Sequence, residues 1–309
     1  MAELAPSAES PSTESPSTES PSTESPTTEV ETTETVRRRR SVQPWAGVRL
    51  VVAVTYLFLL IGWPLLMIVQ RTFFDGSNHL VSALQNPSVQ NALLVTLSSA
   101  LWAVALNTVF GITLGILLVR HEFPGKRLLN SFMDLPVSVS PIIVGLALLL
   151  AYGPAHGWLG RPLAEIGISV VFSYTGIVLA VTFVSLPLVL RSVVPVLQEI
   201  GDDQETAARS LGASGRQVLW RITLPAIKWA VAYGVVLTFA RAIGEFGAVL
   251  IVSGGIVNRT ETATIAVQRL HQGFDTGSSY AIGFLLALIA VAALVIVMIL
   301  RPKEDPRGD

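Results

Sequence analysis

A chain of 309 residues with 51% hydrophobic and only 14% charged side chains cannot coat a water-exposed surface, because soluble domains carry roughly a quarter charged residues. Its net charge of -1 averages two unlike parts: residues 1–36 hold 8 acids and no base, while residues 37–309 carry +7. The absence of Cys excludes disulfides, thiolate zinc sites and thiol catalysis.

Residues 10–29 repeat a Ser-Pro-Ser-Thr-Glu unit with a period of five. Such a segment has almost nothing to bury and cannot offset the entropy of ordering, so residues 1–44 are expected to form a disordered acidic tail. The tail lacks the apolar stretch of a signal peptide. It closes in Arg37–Arg40, just ahead of an apolar window. That position fits a positive-inside membrane anchor better than a nucleic-acid site.

Continuous apolar windows follow at Leu50–Val69, Ala92–Val119, Leu135–Gly153, Val170–Leu190 and Tyr280–Leu300, and a sixth, Trp229–Val252, is interrupted by Arg241 and Glu245. Each is long enough to cross about 30 Å of hydrocarbon as a helix. The expectation is an all-α membrane protein with six transmembrane helices over residues 45–301 and a short cytoplasmic end at 302–309. Placing both termini in the cytoplasm puts sixteen bases on inside segments and four on outside loops, which is the positive-inside orientation.

Span three opens with Pro136-Val-Ser138-Val-Ser140-Pro141. Its prolines free carbonyls and its hydroxyls are polar, so Ser138 and Ser140 are candidates for a translocation path or simply mark a kinked helix start. The connection 191–228 is the longest ordered one expected. Its acids Asp202, Asp203 and Glu205 suit a helix start. Gly212 can close that short helix in the left-handed conformation. A second short helix can run through Arg216–Arg221, and Pro225 fits the first turn of span five. The reading is helix, glycine turn, helix, membrane helix, and so a cytoplasmic knob.

Within span five, Arg241 and Glu245 lie four apart on one helix face, where each partly neutralises the other. A lone Arg at that depth costs about 2.5–3.5 kcal/mol. The pair either lines a path for an anion or packs helices together. No Lys stands in a phosphate-binding Gly-Lys-Ser/Thr context. The histidines at 79, 121, 156 and 271 are scattered, giving no metal site, and no catalytic triad can be assembled. The chain is read as non-catalytic.

The spacing of Ala207, Ala208, Gly212, Ile222, Leu224 and Pro225 resembles the EAA signature of ABC importer membrane subunits. The position of the signature's glutamate is Thr206 here, with Glu205 one place earlier. Phe123-Pro124-Gly125, Leu135-Pro136 with Ser140-Pro141, Leu211–Gly215, Arg241–Ala248 and Val252–Gly255 are together similar to CysW-type membrane subunits of sulfate/thiosulfate ABC importers. The molybdate permease subunit resembles several of the same stretches. The resemblance implies a type I importer permease bundle with a cytoplasmic coupling helix at 202–225. It also implies transport of sulfate or thiosulfate, with molybdate or tungstate as the alternative. The implied partners are a CysT-type permease, two CysA-type ATPases that bind ATP and Mg, a sulfate/thiosulfate-binding protein and membrane lipid, with no nucleic acid. An ion-coupled secondary transporter using Glu245 is the competing class.

Overall fold

The computed structural model describes residues 44–74, 79–154 and 157–300, and these are helical apart from turns. The repeat tail, Arg37–Arg40 and the end at 302–309 lie outside the described residues. Contacts divide the chain between Val51 and Val52. The first unit contributes only the beginning of the first helix to the described residues, and the packing below belongs to the second.

In chain order, α1 (Pro44–Leu57), a π turn (Phe58–Gly62) and α2 (Trp63–Phe73) form the first apolar run, followed by α3 (His79–Gln85) and α4 (Pro87–Arg120). Next come α5 (Lys126–Ser138), α6 (Pro141–Tyr152), α7 (Gly160–Glu165), α8 (Tyr174–Ser185) and α9 (Pro187–Ile200). Then α10 (Asp203–Ser210), α11 (Gly215–Val218), a second π turn (Leu219–Thr223) and α12 (Leu224–Ile243) lead to α13 (Gly247–Ser253), α14 (Ala263–Gln272) and α15 (Thr276–Leu300). Among the described residues five helical runs are long and apolar enough to cross a membrane, and the bent pair α5–α6 makes a sixth if taken as one span.

The centre of the bundle is α4. Asn86 starts it by accepting the Ser88 N–H at 3.0 Å, and Pro87 occupies the first turn, where its missing N–H costs nothing. At 34 residues, it is ~51 Å long. Ala92, Thr96, Ser99, Ala103, Asn107, Gly111 and Gly115 recur every three or four residues and are all buried. This stripe of small side chains lets other helices approach closely. A Cβ on Gly111 would meet the Val189 side chain at 2.7 Å, so α4 and α9 touch nearly backbone to backbone. Around α4 sit α8, α9, α12 and α14, while α15 packs on α2, α3, α12 and α14.

Three spans differ from the sequence reading. Leu135–Gly153 is not one straight helix: α5 and α6 meet at 112°. Val139 and Ser140 are extended, with ψ 138° and 135°, and Ser140 precedes Pro141, which disfavours helix at that position. At 12 residues, α6 rises ~18 Å, too short to cross the hydrocarbon unaided. Span four does not stop at Leu190 but runs from Tyr174 to Ile200, broken once at Leu186–Pro187. The connection to span five is correspondingly shorter than 191–228. Span five ends at Ile243, and Gly244–Phe246 separate it from α13, so Arg241 stands in the last turn of α12 and Glu245 within the break, instead of both lying in one continuous helix.

Candidate functional site: a helical knob and a charged break

The knob between spans four and five forms as its residues dictate. Asp203 and Glu205 occupy the first turn of α10 and Arg209 the last, which complements the helix dipole. Gly212 takes φ +88°. The Ala213 N–H donates to Ala208 O at 3.0 Å and the Gly212 N–H to Arg209 O at 3.0 Å, the paired bonds of a glycine-terminated helix. Ser214 then opens α11 through a reciprocal capping box with Gln217. The expected second helix at Arg216–Arg221 is a turn of α-helix followed by a π turn, continuous with α12. Pro225 lies in the first turn of α12, as expected.

The outer surface of the knob consists of Thr206, Ala207, Ser210 and Leu211, all exposed, with Leu211 90% accessible. Ala208, Ile222 and Leu224 are half-buried and Pro225 is exposed. Glu205, one residue before Thr206 and so about 100° around the helix, points the other way and is 5% exposed. Its Oε1 accepts from Arg120 Nε at 3.2 Å and from Thr223 Oγ1 at 3.0 Å, and Arg209 stands 3.6 Å from Oε2. The remaining guanidinium nitrogens of Arg120 donate to Leu197 O at 3.1 Å and Gly201 O at 2.6 Å. One side chain at the end of α4 therefore ties together the end of α9, the knob and the root of α12. Apolar packing joins α9 to the root of α12 through Leu197 and Ile227, but α10 itself buries only Glu205. A cavity of ≈430 Å³, lined by Ile112, Ile116, Val218, Leu219 and Leu224, opens beside the Arg120–Glu205 pair. Neither Arg120 nor Thr223 was singled out from the sequence; Arg120 registered only as one of the inside bases.

The charged break is equally specific. Arg241 Nη1 meets Glu245 Oε2 at 2.6 Å, and Glu245 Oε1 accepts the Ala248 N–H at 3.0 Å, capping the start of α13. The Glu245 backbone carbonyl accepts from Thr264 Oγ1 at 2.9 Å, which fixes α14 to the break. With its side chain 2% exposed, Glu245 is fully engaged, whereas the Arg241 side chain is 39% exposed. Ser138 and Ser140 are exposed at the α5–α6 bend. Ser138 Oγ donates back to Asp134 O at 3.3 Å, and Ser140 makes no side-chain cap.

A second pair of this kind escaped the sequence reading. Arg269 Nε meets Glu261 Oε1 at 2.6 Å, with side-chain exposures of 40% and 1%. Donation to the Glu261 carboxylate raises the Arg269 pKa above its already high value, so Arg269 stays charged. The two residues are eight apart and join a loop to α14, a separation that no helix periodicity reveals.

A bundle of five or six apolar spans, with a helix–glycine–helix knob between the fourth and fifth, has the architecture of an ABC importer's membrane subunit. The fold matches a chain in the crystal structure of a bacterial ABC transporter that imports the acidic polysaccharide alginate. The TM-score is 0.68 over 82% of this chain and 93% of that one, at 18% identity, a likeness of fold alone. The chain belongs to the family of binding-protein-dependent transport system inner membrane components, whose model matches residues 107–306. It is 41% identical over 268 residues to the sulfate transport system permease protein CysW of Synechococcus elongatus, covering 87% of this chain and 93% of that protein. The CysT permease protein of the same organism's sulfate transport system is 36% identical over 247 residues, covering 80% and 88%. The CysW-type resemblance read from the motifs is thus borne out. The protein is a multi-pass, non-catalytic inner-membrane component, and the ion-coupled secondary transporter is set aside.

Proposed function

We propose that this chain is the CysW-type permease subunit of an ATP-driven importer of sulfate and thiosulfate. The observation carrying the reading is the similarity to the CysW sulfate permease along almost its whole length. Its partner permease is of CysT type. Similarity to both permeases of one organism supports a pair of unlike, related subunits. Two CysA-type ATPases bind ATP and Mg, and a sulfate-binding protein delivers the anion. The excess of bases on one set of segments supports a cytoplasmic side for both termini and the knob.

In this reading Thr206, Ala207, Ser210 and Leu211 meet the ATPase, while Glu205 serves as an internal strut. ATP-driven displacement of the knob is carried by Arg120 to α4 and α9 together. The anion path runs along the Arg241 edge of the span-five break, past the Ser138–Ser140 bend. The Arg241–Glu245 pair is neutral overall, so steering of a dianion rests on the exposed guanidinium edge and on local potential.

Vesicles containing the assembled transporter are expected to accumulate labelled sulfate on ATP addition, insensitively to an uncoupler and in competition with thiosulfate. Accumulation of labelled molybdate with none of labelled sulfate would overturn the substrate. Arg241→Ala and Glu245→Ala are each expected to reduce uptake about tenfold, and the double variant to remain impaired. Recovery in the double variant would show that the pair only packs helices.

A further inference from the structure

We infer that Asn107 is a positioning residue for transport: it holds the Leu186–Pro187 break of span four at the angle by which knob motion reaches the outer half of the bundle. The inference rests on the importer reading, but its first measurement does not depend on the substrate.

The chemistry begins with Pro187. Lacking an N–H, it cannot donate to Phe183 O. The Leu186 N–H turns to Phe183 O instead, at 3.3 Å. That leaves the Thr182 carbonyl, the normal acceptor for Leu186, without a helical donor. Asn107, 0% exposed in the middle of α4, fills the gap: its Nδ2 donates to Thr182 O at 3.1 Å and to Ser185 Oγ at 2.9 Å. Ser185 in turn donates to Val181 O at 2.5 Å. A buried carbonyl left unpaired is costly, so this amide fixes where the break sits and what it leans on. The neighbouring layer confirms the register. One turn further along, Gly111 lies against Val189, and one turn beyond that Gly115 lies against Val193. The break is therefore fastened to α4 where helix approach is closest.

The two halves of span four share α4 and, unequally, α12, but only one of them packs on α13. Below the break, α9 packs on α4 and α12 and leads through Gly201 to the knob. Above it, α8 packs on α4 and on α13, the helix that Glu245 caps. Motion of α9 reaches the charged break through α8 only if the joint between them is stiff. Asn107 is the side chain placed to make it so.

The chain has no Cys, so spin labels can be attached at Thr175→Cys on α8 and Glu199→Cys on α9, both exposed and neither on the ATPase-facing surface of the knob, in the assembled transporter. A narrow distance distribution is expected with Asn107, and a clearly broadened one with Asn107→Ala. Basal ATP hydrolysis should stay within about twofold while anion moved per ATP falls about tenfold. Ser185→Ala, which removes one acceptor with little change in volume, is the milder arm and should lose about threefold, so the test survives poor accumulation of Asn107→Ala. Adding Pro187→Ala to Asn107→Ala restores the helical N–H, and should narrow the distribution without returning uptake, because the break is gone. An unchanged distribution, an unchanged ratio of transport to hydrolysis, or full uptake in the double variant would each overturn the inference. A wild-type transporter that fails to move sulfate would instead count against the substrate reading and leave the label measurement intact.

Discussion

Arg120→Ala is expected to leave the transporter assembled but nearly unable to turn ATP hydrolysis into uptake, a loss of tenfold or more. The substitution removes donors to Glu205, Leu197 O and Gly201 O at once. It strands the Glu205 carboxylate, whose side chain is 6% exposed, with Thr223 and a more distant Arg209. Breaking a buried ion pair by deleting one partner costs about 3–5 kcal/mol. Because a cavity adjoins the pair, little packing remains to hold the knob in register. Arg120→Lys should rescue poorly, since an ammonium cannot reproduce the planar fork that spans three acceptors. Glu205→Leu combined with Arg120→Met should recover part of the thermal stability, because replacing both charges removes the stranded one, without restoring transport. The check is to measure uptake, ATP hydrolysis and melting temperature on the same preparations. Normal uptake by Arg120→Ala would show that the knob transmits motion without this strut.

Gly212→Val is the second large effect. A Cβ at this position would meet nothing within 4 Å, so crowding is not the issue. The obstacle is φ +88°, a conformation that costs a non-glycine residue about 1–3 kcal/mol, most of all a β-branched one. The strain falls on a knob whose α10 has only 8 residues, so the bonds from Gly212 and Ala213 back to α10 should open. Membrane insertion should be unaffected, with ATP-driven uptake lost. Gly212→Asn separates backbone from side chain, because Asn tolerates the left-handed region. It should retain most activity. Equal loss in both variants would point to a side-chain clash with a docked partner and not to backbone conformation.

Much of this molecule was legible from sequence because its signals are local along the chain. Apolar runs located the spans, though not the ends of spans four and five, since the cost of burying polar groups in hydrocarbon acts residue by residue. The knob was legible because glycine at a helix end and acids at a helix start are local rules, and Gly212 and the first turn of α10 obey them. The bend of span three was half visible: two prolines were noted, but the extended Val139–Ser140 pair that turns α6 through 112° was not.

Composition and pattern by themselves determined that this is a helical membrane protein, roughly where each span runs, and that a short helix with a glycine stop projects between the fourth and fifth. Tertiary structure alone decided that Glu205 turns inward to Arg120, 85 residues away, that Asn107 fastens the span-four break, that Glu245 caps a new helix where one continuous span was expected, and that Glu261 pairs with Arg269. The physical reason is one of range. Hydropathy and helix propensity act on neighbours in the chain, whereas the partner of a buried polar group is set by which helices are brought together, and that is settled only when the bundle packs.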